Sequence, residues 1–373
     1  MARGAIHTAR EIAQQPAKWR ELADMLRSRH ADIQERLQDA FAHDELVIVF
    51  TGAGTSANAG SIAAAGLMAG GRRNAIAVPT TDIVDSHACF LDASRPTLLV
   101  SIARSGDSPE SIAACRVVDT HVKTVWHVVL TCNEDGQLAR LAHARDRLCL
   151  IMPKGTNDAG FAMTSSFSCL LLAALTVFED DIGDGLARIE QSAHLAELII
   201  SRSEPIATLA QEDHDRAVYL GSGGLKAAAA ESALKLLELT DGDVVATSET
   251  PLGFRHGPKA IVTAGKTLVL GYINGARPAS AYGMDMLAEI HRDGKADVIA
   301  IGPAEAAGDP GLRRFAVETG GPCLPDSWLG VVYVTFAQML GLFKSLHLGH
   351  RPDDPNPSGQ INRVVQNVTI YLD

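Results

Sequence analysis

Three short stretches of this chain bring together residue types that could do chemistry. The first is Arg104-Ser105-Gly106-Asp107-Ser108-Pro109. Ser108 suits a helix N-cap and Pro109 the first helical position. A helix start there presents unpaired N–H groups and a partial positive charge. Ser105 and Ser108 add hydroxyl donors, and Arg104 adds a full charge. The combination reads as a cradle for a compact anion such as phosphate. Thr55 and Ser56, in Gly52-Ala53-Gly54-Thr55-Ser56, could reach the same anion from the side. Both clusters also read as plain turn and cap residues. A dinucleotide reading of Gly52-x-Gly54 is weak: no acidic residue clearly ends a second strand about 20 positions further on. No Gly-Lys-Ser/Thr follows either, which removes a P-loop.

The second stretch is Leu225 to Thr240, rich in Ala, Leu and Lys and so strongly helical. Glu231, Lys235 and Glu238 fall within one narrow arc of that helix. Two readings stand side by side. The stripe is a solvated face with an ion pair, or it is an acid/base face lining a pocket. The third stretch is Phe254-Arg255-His256-Gly257-Pro258, a loop after the acidic Glu249. A histidine ring is a residue type that can take up and release protons, which suits proton shuttling at His256. His121, His127 and His143 do not stand at metal-ligand spacing, so no metal site and no cofactor are expected.

These residues need a frame to hold them. Apolar runs at Leu46–Phe50, Leu98–Val100 and Val128–Leu130 each end in small polar residues, with helical spacing between them. That alternation predicts a parallel sheet covered on both faces. A shift of 169 positions repeats the pattern: Val49 to Gly52 falls on Val218 to Gly221, Gly54 on Gly223, and Thr80-Thr81 on Glu249-Thr250. Phe161–Leu171 falls on Gly330–Leu340, both expected to be helical. We read a duplicated domain, with a boundary near Arg202 to Pro205. Ahead of it, residues 1–45 are helical and polar, and Pro16 opens a helix carrying Trp19, Leu22, Met25 and Leu26. The two halves differ where ligands bind, beyond the carboxyl ends of strands. Ile273-Asn274-Gly275-Ala276-Arg277-Pro278 stands where the first half has its hydroxyls. That asymmetry points to one composite site.

Bulk properties bound the function. The chain has 373 residues, and its net charge of −11 disfavours a nucleic-acid partner. Arg72 and Arg73 make the one obvious basic pair early in the chain. Six cysteines are scattered without pairing and read as buried free thiols. No apolar run is long enough to cross a bilayer, so the expected setting is a reducing cytoplasm.

Taken together, Gly52-x-Gly54-Thr55-Ser56, Ser105-Gly106-x-Ser108-Pro109-Glu110, Glu231-x-Ala233-Leu234-Lys235-x-x-Glu238 and Arg255-His256-Gly257-Pro258 resemble the sugar isomerase (SIS) domain family. The resemblance covers roughly residues 45 to 370. Phe161 to Ser166 and Asn362-Arg363-Val364-Val365-Gln366 resemble its galactosamine-6-phosphate deaminase/isomerase subgroup, of tagatose-6-phosphate ketose/aldose isomerase type. The resemblance implies an α/β fold of two tandem SIS domains, each a flavodoxin-like or Rossmann-like parallel sheet flanked by helices. Expected bounds are a helical segment 1–45, domains 46–203 and 204–365, and a tail 366–373. It implies that Ser56, Arg104, Ser105 and Ser108 bind the substrate phosphate, and that Gly54, Thr55, Glu231 and Arg363 lie about the sugar. It makes Glu238 the base between C2 and C1, Lys235 its electrostatic partner, and His256 the group that assists ring opening, from a neighbouring subunit of a homodimer.

Glucosamine-6-phosphate synthase of this family carries a glutaminase domain, absent here, and an imine-forming lysine where this chain has about Arg363. Glutamine-driven synthesis is therefore not expected. The implied reaction converts galactosamine 6-phosphate to tagatose 6-phosphate and ammonia. A plain aldose–ketose isomerase and a non-catalytic sugar-phosphate sensor are the alternatives.

Overall fold

Five consecutive buried residues, Val47–Thr51, make β1 of the computed structural model. The structure describes residues 4–72, 74–145, 147–303, 311–317, 322–365 and 368–371. Arg73 of the basic pair, Gln366 of the C-terminal motif and residues 367, 372 and 373 of the expected tail lie outside them. Two helices precede β1: α1 (Ile6–Ala13), which the sequence reading did not separate, and α2 (Gln15–Phe41). Pro16 is the second residue of α2. Trp19, Leu22 and Leu26 are fully buried on it and Met25 is half-buried.

The described residues form two compact units. One comprises residues 17–158 and 165–190 and the described residues from Ser358 on. Its sheet holds β1, β2 (Ala75–Ala77), β3 (Thr97–Ala103), β4 (Val125–Thr131) and β5 (Leu148–Ile151), all parallel, in the order β2-β1-β3-β4-β5. The crossovers contain α3 (Thr55–Ala69), α4 (Thr80–Ser86), α5 (Pro109–His121) and α6 (Gln137–Ala144). Val49, Leu99 and Val129 on the sheet pack with Ala114, Val118, Leu138 and Ala142 from the helices. These strands are largely apolar because both faces are covered.

After β5 come α7 (Ser165–Thr176), α8 (Ile182–Ser201) and α9 (Ser203–Ala210). The helical expectation for Phe161 fails over its first turn, since Phe161–Thr164 are not helical and α7 opens at Ser165. Asp158 is the reason. Its buried carboxylate accepts from the Ser166 N–H at 2.9 Å and the Ser166 hydroxyl at 2.6 Å, and so sets the start of α7.

The other unit comprises the described residues up to Pro16, residues 159–164 and residues 191–357. Its strands are β6 (Arg216–Leu220), β7 (Val245–Glu249), β8 (Thr267–Tyr272), β9 (Ala296–Pro303) and β10 (Arg313–Val317). They are parallel and ordered β7-β6-β8-β9-β10, the topology of the first sheet. Its helices are α10 (Gly224–Leu239), α11 (Pro251–Phe254), α12 (Ala279–Asp293) and α13 (Asp326–His347). Val49 pairs with Leu99 in the first sheet, and Val218 pairs with Val269 in the second. The expectation that no apolar run is long enough to cross a bilayer fails for α13, whose length and composition would let it do so, but 89% of its apolar window is buried inside the fold. It is the central core helix of its unit.

The cysteine expectation holds in part. All six are free, but Cys89 and Cys323 are exposed. Neither lies in a strand or a long helix, so neither is drawn into a core.

Each sheet turns from its first strand into its first helix in the same way. Gly54 has φ 55° and ψ −122°, and Gly223 has φ 57° and ψ −128°. A side chain is strained in that region. The preceding glycine permits close approach: a Cβ on Gly52 would lie 2.6 Å from Ser56 Cβ, and one on Gly221 would lie 2.3 Å from the Leu225 carbonyl. Gly223→Ala should therefore lower unfolding free energy by about 1–3 kcal/mol. Gly283→Ala, inside α12 with room for a Cβ, should be neutral or stabilise by up to about 1 kcal/mol. Urea unfolding of the two variants beside wild type checks this; equal effects would remove the backbone explanation.

Candidate active site

The phosphate-type loop leaves β3 at Ala103 and enters α5 at Pro109. Ser108 is the N-cap in extended conformation, and its hydroxyl accepts from the Ser111 N–H. A second hydrogen bond of 2.7 Å joins the two hydroxyls. Gly106, at φ 68°, makes the turn. Ser105 Oγ accepts from the Asp107 N–H at 3.3 Å. A second loop, following β4, fixes the first. Asn133 Nδ2 donates to the Ser105 carbonyl at 2.9 Å, and the Gln137 N–H donates to Asp107 Oδ1 at 2.9 Å. Gly136 lets the loops meet, since a Cβ there would lie 2.4 Å from the Ser105 oxygen. The sequence reading missed Asn133 and Asp107. Their only signal was their position just beyond strand ends.

Thr55 and Ser56 open α3 and are buried, with Gly54 as N-cap. Arg104 is buried as well, and its Nη2 donates to the main-chain oxygen of Arg363. Arg363 donates Nε to the Asp158 carbonyl at 2.9 Å and Nη2 to Asn157 Oδ1 at 3.1 Å. Within this unit Arg363 therefore fastens the C-terminal segment to the loop after β5. Its guanidinium has no nucleophilic amine to offer.

In the other unit, the stripe on α10 is not a solvated face. Glu231 and Lys235 are buried at 0% and 1% exposure, while the Glu238 side chain keeps 23%. Lys235 Nζ lies 3.5 Å from Glu231 and makes a short contact with Glu238. The ammonium thus sits between two carboxylates, as a buried cation must. The two acids are unequal. Glu231 is sealed, whereas Glu238 has access to solvent and so to a substrate. Gly341 lets α13 lie close to this turn of α10, because a Cβ there would be 2.8 Å from Leu239. Behind α10, Ser232 and Tyr272 share a hydroxyl–hydroxyl bond of 2.6 Å, and burial raises the Tyr272 phenol.

His256 follows α11 in an exposed loop. Its backbone N–H reaches the Gly253 carbonyl at 2.9 Å, and its ring makes no hydrogen bond among the described residues. Neighbouring Arg255 and Lys259 both pair with Glu289, at 2.9 and 2.7 Å. One grouping of potential metal ligands occurs among the described residues: Glu212, His214 and Asp297. Arg313 occupies both Glu212 oxygens at 2.9 and 3.1 Å, so we read an ion-pair network there.

The SIS domain family matches residues 43–179. An AgaS protein of Streptomyces coelicolor is 43% identical over 98% of this chain and 96% of its own length. The D-galactosamine-6-phosphate deaminase AgaS of Shewanella sp. ANA-3 is 38% identical, covering 99% of this chain and 92% of that one. The crystal structure of tagatose-6-phosphate ketose/aldose isomerase from Escherichia coli superposes with a TM-score of 0.89 at 34% identity, over 98% of this chain and 96% of that one. With identity at this level along almost the whole chain, the protein belongs to the SIS-domain AgaS family.

Proposed function

We propose that this chain is a galactosamine-6-phosphate deaminase/isomerase that releases ammonia and tagatose 6-phosphate. The carrying observation is full-length similarity to AgaS proteins, one named for that activity, joined to a buried Lys235 beside a solvent-reaching Glu238. The reading takes residues 46–203 and 204–365 as tandem SIS domains arising by duplication, after a helical segment 1–45 and before a tail 366–373. An identical strand order in the two sheets supports it. A cytoplasmic setting suits a phosphorylated substrate and six free thiols.

In this reading Ser105, Ser108, Ser56 and Arg104 hold the phosphate, with the α5 N-terminus contributing its partial charge. Gly54, Thr55 and Arg363 serve the sugar, whereas Glu231, expected beside the sugar from the sequence, is sealed from solvent and acts through Lys235. His256 assists ring opening, which frees the C1 aldehyde. Glu238 removes the C2 proton and returns it to C1, leaving an imine at C2. Water adds to that carbon, the C–N bond breaks, and ammonia departs with the ketose. Lys235 opposes the negative charge that develops beside it. Glu231 keeps Lys235 charged and in place.

The ketose/aldose isomerase named among the structural relatives favours a second reading with the same proton transfer and no loss of nitrogen. Ammonia release from galactosamine 6-phosphate separates the two. No release, with isomerisation of tagatose 6-phosphate, would select the second.

Ser105→Ala should raise KM by about 10–100-fold with little change in kcat, as loss of a charge-assisted hydrogen bond to an unreacting group. Ser108→Ala should do the same and also forfeit an N-cap worth about 1 kcal/mol. Steady-state kinetics checks both, and an unchanged KM removes the cradle assignment.

Glu238→Gln should lower kcat by about 10²–10⁴-fold with KM little altered. Exchange of the C2 hydrogen with deuterated solvent should fall in step. Normal exchange in Glu238→Gln, with loss in Glu231→Gln, would transfer the base role to Glu231.

The exposed His256 suits a homodimer in which its ring serves the partner's Glu238. Glu238→Gln and His256→Asn homodimers should each be inactive, and subunit exchange between them should restore activity. No recovery after demonstrated exchange returns His256 to its own chain's site or removes it from catalysis.

A further inference from the structure

The phosphate-type loop after β3 has a counterpart after β8. The shift of 169 positions sets Ser105 on Asn274, Gly106 on Gly275 and Asn157 on Asp326. In each sheet the chain steps from its first strand to one side and then returns to the other, in the orders β2-β1-β3 and β7-β6-β8. The first and third strands therefore flank a switch point, beyond whose carboxyl ends open parallel sheets bind ligands.

The counterpart loop is already engaged. Asp326 lies in the first turn of α13. Its Oδ1 accepts from the Gly275 N–H at 3.1 Å, and its Oδ2 accepts from Asn274 Nδ2 at 2.7 Å. Asn274 is buried, and the same Nδ2 donates to the Ser222 carbonyl at 3.0 Å, which holds the amide in place. The turn after β6 closes the other side. A Cβ on Gly223 would lie 4.0 Å from Asp326 Oδ2, and one on Gly224 would lie 3.0 Å from the Ser327 nitrogen. An oxyanion thus stands between the two strand ends, held by a loop N–H and a buried amide.

The first half differs at each of these points. No described residue accepts from the Gly106 N–H. Asn157 lies ahead of α7, and its Oδ1 accepts from Arg363 at 3.1 Å. In the shared register α13 begins earlier than α7, whose start Asp158 holds at Ser165. That added length brings Asp326 to the loop. A carboxylate and a phosphate group call on the same N–H donors.

We propose that the second half keeps an oxyanion site of its own, which Asp326 fills from within, and that removing this carboxylate opens the site to a phosphate group. Asp326 is half-buried, so the space it leaves reaches solvent. The comparison rests on the phosphate assignment of the Ser105 loop, and the test reads the two loops separately.

Isothermal titration of the full chain with inorganic phosphate at fixed ionic strength provides that test. Wild type should show one class of site, weakened about tenfold or more by Ser105→Ala. Asp326→Ala should add a second class. Ser105→Ala should leave the added class unchanged, and Asn274→Ala in the same chain should weaken it about tenfold. If Ser105→Ala leaves the wild-type class intact, the first assignment fails, while a class gained in Asp326→Ala still supports the proposal. Asp326→Ser, which keeps a small polar side chain in the first turn of α13, repeats the test if Asp326→Ala does not fold. No gained class, or one indifferent to Asn274→Ala, overturns the proposal. So does a second class in wild type that Asn274→Ala removes.

Discussion

An ammonium group removed from water must be surrounded by its own counter-charges, and Lys235 imposes that requirement on its whole unit. At 1% exposure it holds its charge only beside Glu231 and Glu238. Those partners are supplied by the helix itself, one turn to either side, so α10 must be regular through this stretch. Ala and Leu over the remaining surface provide the propensity and the packing. Glycines supply the close approaches: Gly221 at the entry from β6, and Gly341 where α13 lies against the same turn. A side chain at either would press on the helix that orients the lysine.

The other unit solves a different problem. It must present backbone N–H groups and hydroxyls at a helix start without letting the loop collapse on them. The answer is a neighbouring loop that takes over the carbonyls. Asn133 binds the Ser105 oxygen, the Leu138 N–H binds the Gly106 oxygen at 2.9 Å, and Asp107 is turned to the start of α6. Arg104 and Arg363 add a further tie, through which the C-terminal segment becomes part of the unit.

Much of this frame was legible in the residue order. The shift of 169 positions predicted that Gly54 and Gly223 would be equivalent, and their backbone angles agree within a few degrees. Both parallel sheets followed from apolar runs, because a strand covered on both faces has no polar side to show. The Ser108–Pro109 cap and the Pro16 helix start were local chemistry and appeared as expected. The helical expectation for Phe161–Thr164 failed because Asp158, a capping carboxylate, fixed the start of α7 at Ser165. Periodicity alone does not carry that information.

By itself, then, the sequence determined the periodic elements, the glycine-dependent turns and the set of acids, bases and hydroxyls available. Each rests on interactions within a few residues or on a repeat that spacing displays. Tertiary structure alone decided between a solvated stripe and a buried one on α10. An i,i+4 acid–lysine pair has the same spacing in either case, and only the packing of α13 and the second sheet removes it from water. It also decided that Arg104 and Arg363 meet across 259 positions and that Glu238 rather than Glu231 keeps access to solvent. Burial and long-range pairing belong to the folded surface as a whole, and no local pattern encodes them.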